Sequence, residues 1–155
     1  MIVMECMKHP LVTKSLGYAG LVPFFSAAWA AYANVSLWGW SASFVFLSYS
    51  SIILSFLSGA LWGKANELQE SDVSRMLLIL SNVFALTAWL AILLGETYLS
   101  AGLAISLIGF ILVYLIEQKT QGLLLKDIGS AYLKFRRGLT TGVCLAHVLI
   151  LASIN

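Results

Sequence analysis

The chain has 155 residues, of which 60% are hydrophobic and only 10% charged, with a formal net charge of +2. A water-soluble domain of that composition would lack the polar surface to meet water, whereas lipid accepts apolar side chains on every face. The small net charge also gives no footprint for nucleic acid, and no nucleic-acid partner is expected.

Charged residues are absent from 15–63, 76–95 and 97–116, and the stretch from Gly138 onward holds only His147 as a titratable nitrogen. A helix rises about 1.5 Å per residue, so roughly 20 apolar residues cross the ~30 Å hydrocarbon core. The first stretch is long enough for two crossings and is divided by the polar, aromatic segment Asn34-Val35-Ser36-Leu37-Trp38-Gly39-Trp40-Ser41. The expectation is an all-α, polytopic membrane protein. A single transmembrane domain over 1–155 would place five helices at about 15–33, 42–63, 76–94, 98–116 and 138–154.

In the first helix, Gly17 and Gly20 permit close approach near one end, while Pro23 removes a backbone donor and predicts a kink. The second helix carries Ser51, Ser55, Gly59 and Gly63 at four-residue spacing. Gly138, Gly142 and Ala146 repeat the pattern on the fifth. Small-residue ridges let backbones approach where lipid offers no hydrophobic drive for association. The two ridges are expected to meet inside one subunit, with pairing between subunits as the other arrangement. In the third helix, Asn82 is expected to bond to a neighbouring helix, and Glu96 to be solvated at the outer turn.

The 117–137 connection repeats Leu124, Ile128, Ala131, Tyr132 and Phe135 on one helical face, with Lys126, Ser130, Lys134 and Arg137 on another. That pattern predicts an interfacial amphipathic helix over about 122–136. Its apolar face would lie on the bilayer, with Lys126, Lys134, Arg136 and Arg137 toward anionic headgroups.

The cations fix an orientation. Lys8 and Lys14 precede the first helix, Lys64 and Arg75 join the second to the third, and Lys119, Lys126, Lys134, Arg136 and Arg137 join the fourth to the fifth. The alternate connections have none, so the positive-inside rule gives a cytoplasmic N-terminus and an external C-terminus in a bacterial inner membrane, or the equivalent in a mitochondrial one. Lys8, Lys14 and an apolar run ending Ala31-Tyr32-Ala33 imitate a secretory signal, but the run exceeds a usual signal core. Cys6 and Cys144 fall in different environments, so no structural disulfide is expected.

Candidate chemistry is sparse. His147 lies about nine residues into the last helix, ~14 Å deep, where a neutral imidazole bonded to a neighbouring helix is the expected state. The other histidine, His9, is outside the membrane, which argues against paired haem ligation and a zinc site. Phe56-Leu57-Ser58-Gly59 lacks the first glycine of the rhomboid GxSG pattern, and Ser58, Asn82, Trp89 and His147 form no nucleophile-base set. No cofactor, metal or enzymatic activity is expected. The favoured reading is a non-enzymatic component that packs with itself, as a homo-oligomer, or into a larger membrane complex. The alternative is a transporter or channel for a neutral solute, formed as a homo-oligomer.

The segments LGYAGLVPF (16–24), ILSFLSGALWG (53–63) and YLKFRRGLT (132–140) together resemble the transmembrane protein 69-like family, a domain of unknown function 3429 found in bacteria and mitochondria. The resemblance runs from about Thr13 onward and implies a small multi-pass inner-membrane protein, without an established activity. Relatives carry a second Gly where Ser58 stands, a His where Leu61 stands and Pro-Trp-Tyr where Ser130-Ala131-Tyr132 stands. Any chemistry served by that His is missing here.

Overall fold

A computed structural model describes residues 10–124 and 130–154. The helices are α1 (Pro10–Ala19), α2 (Val22–Tyr32), α3 (Ala42–Glu67), α4 (Asp72–Thr97), α5 (Leu99–Leu124) and α6 (Ser130–Ile154). The only strands among these residues, β1 (Ser36–Leu37) and β2 (Trp40–Ser41), form a hairpin between α2 and α3. The chain is thus all-helical in class, and four helices, α3 to α6, are long and apolar enough to cross a membrane. A 26-residue helix such as α4 is ~39 Å long, which exceeds the hydrocarbon core and carries its charged ends beyond it.

The single first helix expected over 15–33 is instead two pieces. Pro23 cannot donate to the Ala19 carbonyl, and its ring crowds that oxygen. The backbone tightens just before it. Leu21 N–H donates to Tyr18 O at 3.0 Å, an i→i−3 bond, while Gly20→Leu16 at 2.9 Å and Phe25→Leu21 at 3.1 Å keep the α-helical step on either side. With 10 and 11 residues, neither piece alone is long enough to span.

The aromatic segment forms a tight hairpin in which Leu37 pairs with Trp40. Its loop residues Trp38 and Gly39 both take positive φ, 52° and 84°, as a two-residue turn that follows the strand twist requires. Ser41 then caps α3, its hydroxyl accepting from Phe44 N–H at 3.3 Å. At the opposite end of α3, Ser71 caps α4 in the same way at 3.2 Å. Ser74 Oγ donates to Ala65 O at 2.8 Å and ties that turn together. Only Tyr98 separates α4 from α5, and the two helices pack against each other.

α3 is the hub, packed against α2, α4 and α5, while α6 closes the bundle against α2 and α5. Its buried leucines Leu47, Leu54 and Leu61 recur every seven residues. Leu47 fills the space over Gly95 and Gly102, and Leu54 fills that over Gly109. A Cβ on Gly102 would stand 2.6 Å from Ala91 O, and one on Gly109 would stand 2.6 Å from Leu54 Cδ2. Seven-residue spacing on both partners keeps one seam in contact along parallel helices.

The connector helix expected over 122–136 is not a separate element among the described residues. Residues 122–124 end α5, and 130–136 are the first turns of α6, while Lys126 and Ile128 lie outside the described residues. The periodicity read as an interfacial face therefore belongs, from Ser130 on, to the start of a membrane-length helix. The buried side chains Phe135 and Arg136 turn inward.

Candidate functional site

Three polar arrangements stand out against the apolar bundle, and the first lies where α5 ends and α6 begins. Glu117, the single acidic residue of α5, accepts from Arg136 Nε at 2.8 Å and Nη2 at 2.5 Å, both on Oε2. Tyr132 Oη donates to the other carboxylate oxygen at 3.4 Å. Both ionic side chains are about nine-tenths buried, with 11% and 10% exposure. Arg136 is thus turned inward to Glu117, contrary to the expectation that it faces headgroups. Its neighbours Lys134 and Arg137 are exposed. Lys64, near the end of α3, stands over the Tyr132 ring with Nζ 5.9 Å from the centroid. That ammonium is buried and has no hydrogen-bond partner among the described residues.

Glu117, Tyr132 and Arg136, but not Lys64, line one end of a cavity of about 480 Å³ bordered by α1, α2, α3, α5 and α6. Its walls are apolar, including Leu57, Leu139 and Val143, and Phe24 and Phe110 lie at its far end. α1 borders it by leaning on α6 rather than on α3. The glycines foreseen near the inner end of the first helix make that lean possible. A Cβ at Gly17 would collide with the Phe135 ring, and one at Gly142 would stand 2.9 Å from Leu21 Cδ1. Gly20 exposes its carbonyl to Tyr49 Oη, which donates at 3.0 Å. Gly138 is looser, with Tyr18 Oη 3.7 Å from an added Cβ.

Beyond Phe24 and Phe110 lies the second arrangement. His147 Nδ1 is 2.9 Å from Val143 O, and Nε2 is 2.9 Å from Ser50 Oγ. A carbonyl only accepts, so Nδ1 carries the proton, and in the neutral ring Nε2 accepts from the serine hydroxyl. The expected link to a neighbouring helix is therefore present, and its partner is α3. Phe46 and Phe110 meet the imidazole edge-on, with centroids 4.8 and 5.7 Å away, so the ring is walled in by aromatic carbon. Ser50 and His147 are completely buried. The serine carried no special signal among the many on α3, since only tertiary packing pairs it with a residue 97 positions away.

The third arrangement faces outward. The α3 ridge does not meet the α6 ridge: Ser55 and Gly59 are exposed, and an added Cβ at Gly59 or Gly63 would meet nothing within 4 Å. The α6 ridge packs on the α1–α2 segment instead. Ser55, Ser58, Gly59 and Trp62 of α3 line a shallow groove of about 230 Å³ with Ser81, Asn82 and Ala85 of α4. Asn82 bonds not to another helix but to its own, Nδ2 donating to Leu78 O at 2.9 Å. It is exposed near the middle of α4, and its carbonyl oxygen has no partner among the described residues.

Among the described residues, no group of three or more His, Cys, Asp or Glu is placed to hold a metal ion. Ser58 Oγ is committed to Ser55 O at 2.6 Å.

A family model described as Protein of unknown function (DUF3429) matches residues 9–152. The chain belongs to the DUF3429 family. No curated protein and no solved structure matches it. The DUF3429 match covers all six helices nearly end to end, so the cavity, the His147–Ser50 link and the outer groove all fall within the family's domain.

Proposed function

We propose that this chain is a non-enzymatic, five-span component of the bacterial inner membrane that associates with a second copy of itself through the outward face of α3 and α4. The observation that carries this reading is Asn82, exposed beside Gly59 and Ser55 at the middle of a membrane-length helix. Hydrocarbon cannot satisfy an amide, and a flat glycine-serine surface beside it admits another helix closely. An amide carries both donors and an acceptor, so two copies related by a two-fold axis can bond to each other through the same residue. The fifth crossing is α1 and α2 together: residues 10–32, taken as helix, extend ~34 Å. The cations at the shared end of α3, α4, α5 and α6 support a cytoplasmic location for that end.

Mass measurement in lipid nanodiscs and cysteine cross-linking across α4 test the association. Dimers are expected for the native chain, with Asn82→Leu and Gly59→Leu each shifting the population to monomer. A monomeric native chain, or a dimer indifferent to both substitutions, overturns the reading. Co-purification of a different membrane protein that both variants lose would replace the second copy with a foreign subunit.

A further inference from the structure

The seam between α3 and α5 holds two hydroxyls that its apolar packing does not account for. Ser51 and Ser106 are 2% and 0% exposed, and neither Oγ has a hydrogen-bond partner among the described residues. Of the α3 ridge Ser51, Ser55, Gly59 and Gly63, only Ser51 is buried. A serine inside a helix can turn its hydroxyl back onto its own backbone. Ser58, Ser81 and Ser153 do so, each donating to the carbonyl three residues earlier at 2.6 to 2.8 Å. Ser51 and Ser106 do not, so their oxygens are left to the interior between helices, where an unmade bond costs the full desolvation of the group.

The leucine-glycine contacts fix where the two serines stand. Leu47 packs over Gly102 and Leu54 over Gly109, so α3 and α5 run in the same direction along the seam. Ser51 follows Leu47 by four residues and Ser106 follows Gly102 by four, which sets them at the same height, ~6 Å beyond the first contact. α4 runs the other way. Its Gly95 meets Leu47, and Ala91, four residues earlier, brings a third small, buried side chain to this height. Ser50 is one residue away; its hydroxyl proton goes to His147 Nε2, and its oxygen can still accept. What can bind in this layer is narrowly limited. Each hydroxyl both donates and accepts, so the partner is a neutral group that does both. A cation would need compensating charge, and Glu117 lies eleven residues along α5, ~16 Å away, while Glu96 is exposed at the end of α4. An organic molecule would have to part the leucine layers on either side.

We propose that this layer binds one ordered water molecule, held by Ser51 Oγ and Ser106 Oγ with Ser50 Oγ as a third acceptor. Buried waters of this kind make two to four bonds to otherwise unsatisfied polar groups. The bridge extends the His147–Ser50 link into a polar tie that runs from α6 through α3 to α5. It adds a directional contact to a seam otherwise built from leucine and glycine.

A crystal structure of the native chain grown from a lipid mesophase, at a resolution that shows ordered water, tests the site directly and needs no variant. Density within hydrogen-bonding distance of both oxygens is expected, and Ser106→Ala should abolish it. Serine oxygens that bond straight to each other or back onto their own helices, with no density between them, overturn the proposal. Thermal unfolding in nanodiscs gives a second reading. Ser51→Ala and Ser106→Ala should each lower the unfolding temperature by about 2–4 °C, because each removes a bond and leaves the water one partner short. The double variant should lose no more than the worse single. Hydroxyls buried dry and unpaired would behave in the opposite sense, each alanine raising the unfolding temperature with additive gains. That result, unchanged melts, or additive losses in the double variant would each overturn the water site.

Discussion

Arg136 reaches across from the first turns of α6 to grip Glu117 near the end of α5, two bonds converging on one carboxylate oxygen. Because both side chains are buried, each depends on the other to offset the cost of leaving water. Removing one partner strands a charge, at a cost of about 3–5 kcal/mol, whereas replacing both with apolar groups of similar volume is close to neutral. Glu117→Leu and Arg136→Met should each lower the unfolding temperature in detergent steeply, and the double variant should recover most of the loss. Additive losses in the double variant would show that the two residues act independently.

The glycines divide into two kinds that a thermal melt separates. At Gly102 an added Cβ meets the Ala91 carbonyl, which is backbone and cannot swing aside. Gly102→Ala should therefore destabilise by about 1–3 kcal/mol. Gly59 faces open space, and Gly59→Leu should leave the melt of a dilute, monomeric sample unchanged. A large loss at Gly59 in monomer would mean that the α3 ridge packs inside the bundle.

Why was the second kind invisible in the sequence? Gly59-x-x-x-Gly63 is a packing signal whichever way it points, and nothing in a single chain says which face of α3 turns inward. The inward face is instead set by Leu47, Leu54 and Leu61, whose seven-residue spacing matches Gly102 and Gly109 on α5, a correspondence that no four-residue repeat reveals. Membrane-length helices were legible because charge is excluded from lipid whatever the packing. The break before Pro23 was legible as a kink. Arg136 was misplaced for a plain reason: an amphipathic repeat identifies a face, and only the fold shows that Glu117 waits opposite it.

Proton-coupled transport would need a titratable group that is reached alternately from each side. His147 is enclosed by Phe24, Phe46 and Phe110, and Glu96 is exposed at the end of α4. Liposomes bearing the protein should leak no more protons than empty ones, and neither Glu96→Gln nor His147→Ala should alter that. Ser50→Ala, which takes away the hydroxyl facing Nε2, should cost about 1–3 kcal/mol of stability. A leak abolished by either titratable substitution would make ion transport the leading function.

Orientation is open to a direct assay. A reporter active only outside the cytoplasm should work when fused after Asn155 and stay silent when placed at Gln69, in the turn between α3 and α4. The reverse pattern would invert the bundle and set Lys64, Glu117 and Arg136 at the external surface.

The leucine-glycine seam leaves one ambiguity that the His147–Ser50 link removes. Sliding α3 by seven residues along α5 would seat Leu54 over Gly102 and Leu61 over Gly109, another stacking with matching knobs and hollows. That displacement is ~10 Å, and it would carry Ser50 out of reach of His147, abandoning two polar groups in hydrocarbon. The imidazole thereby works as a vernier mark, confirming at mid-helix the setting that the short, Ser74-tied turn to α4 fixes at the helix end.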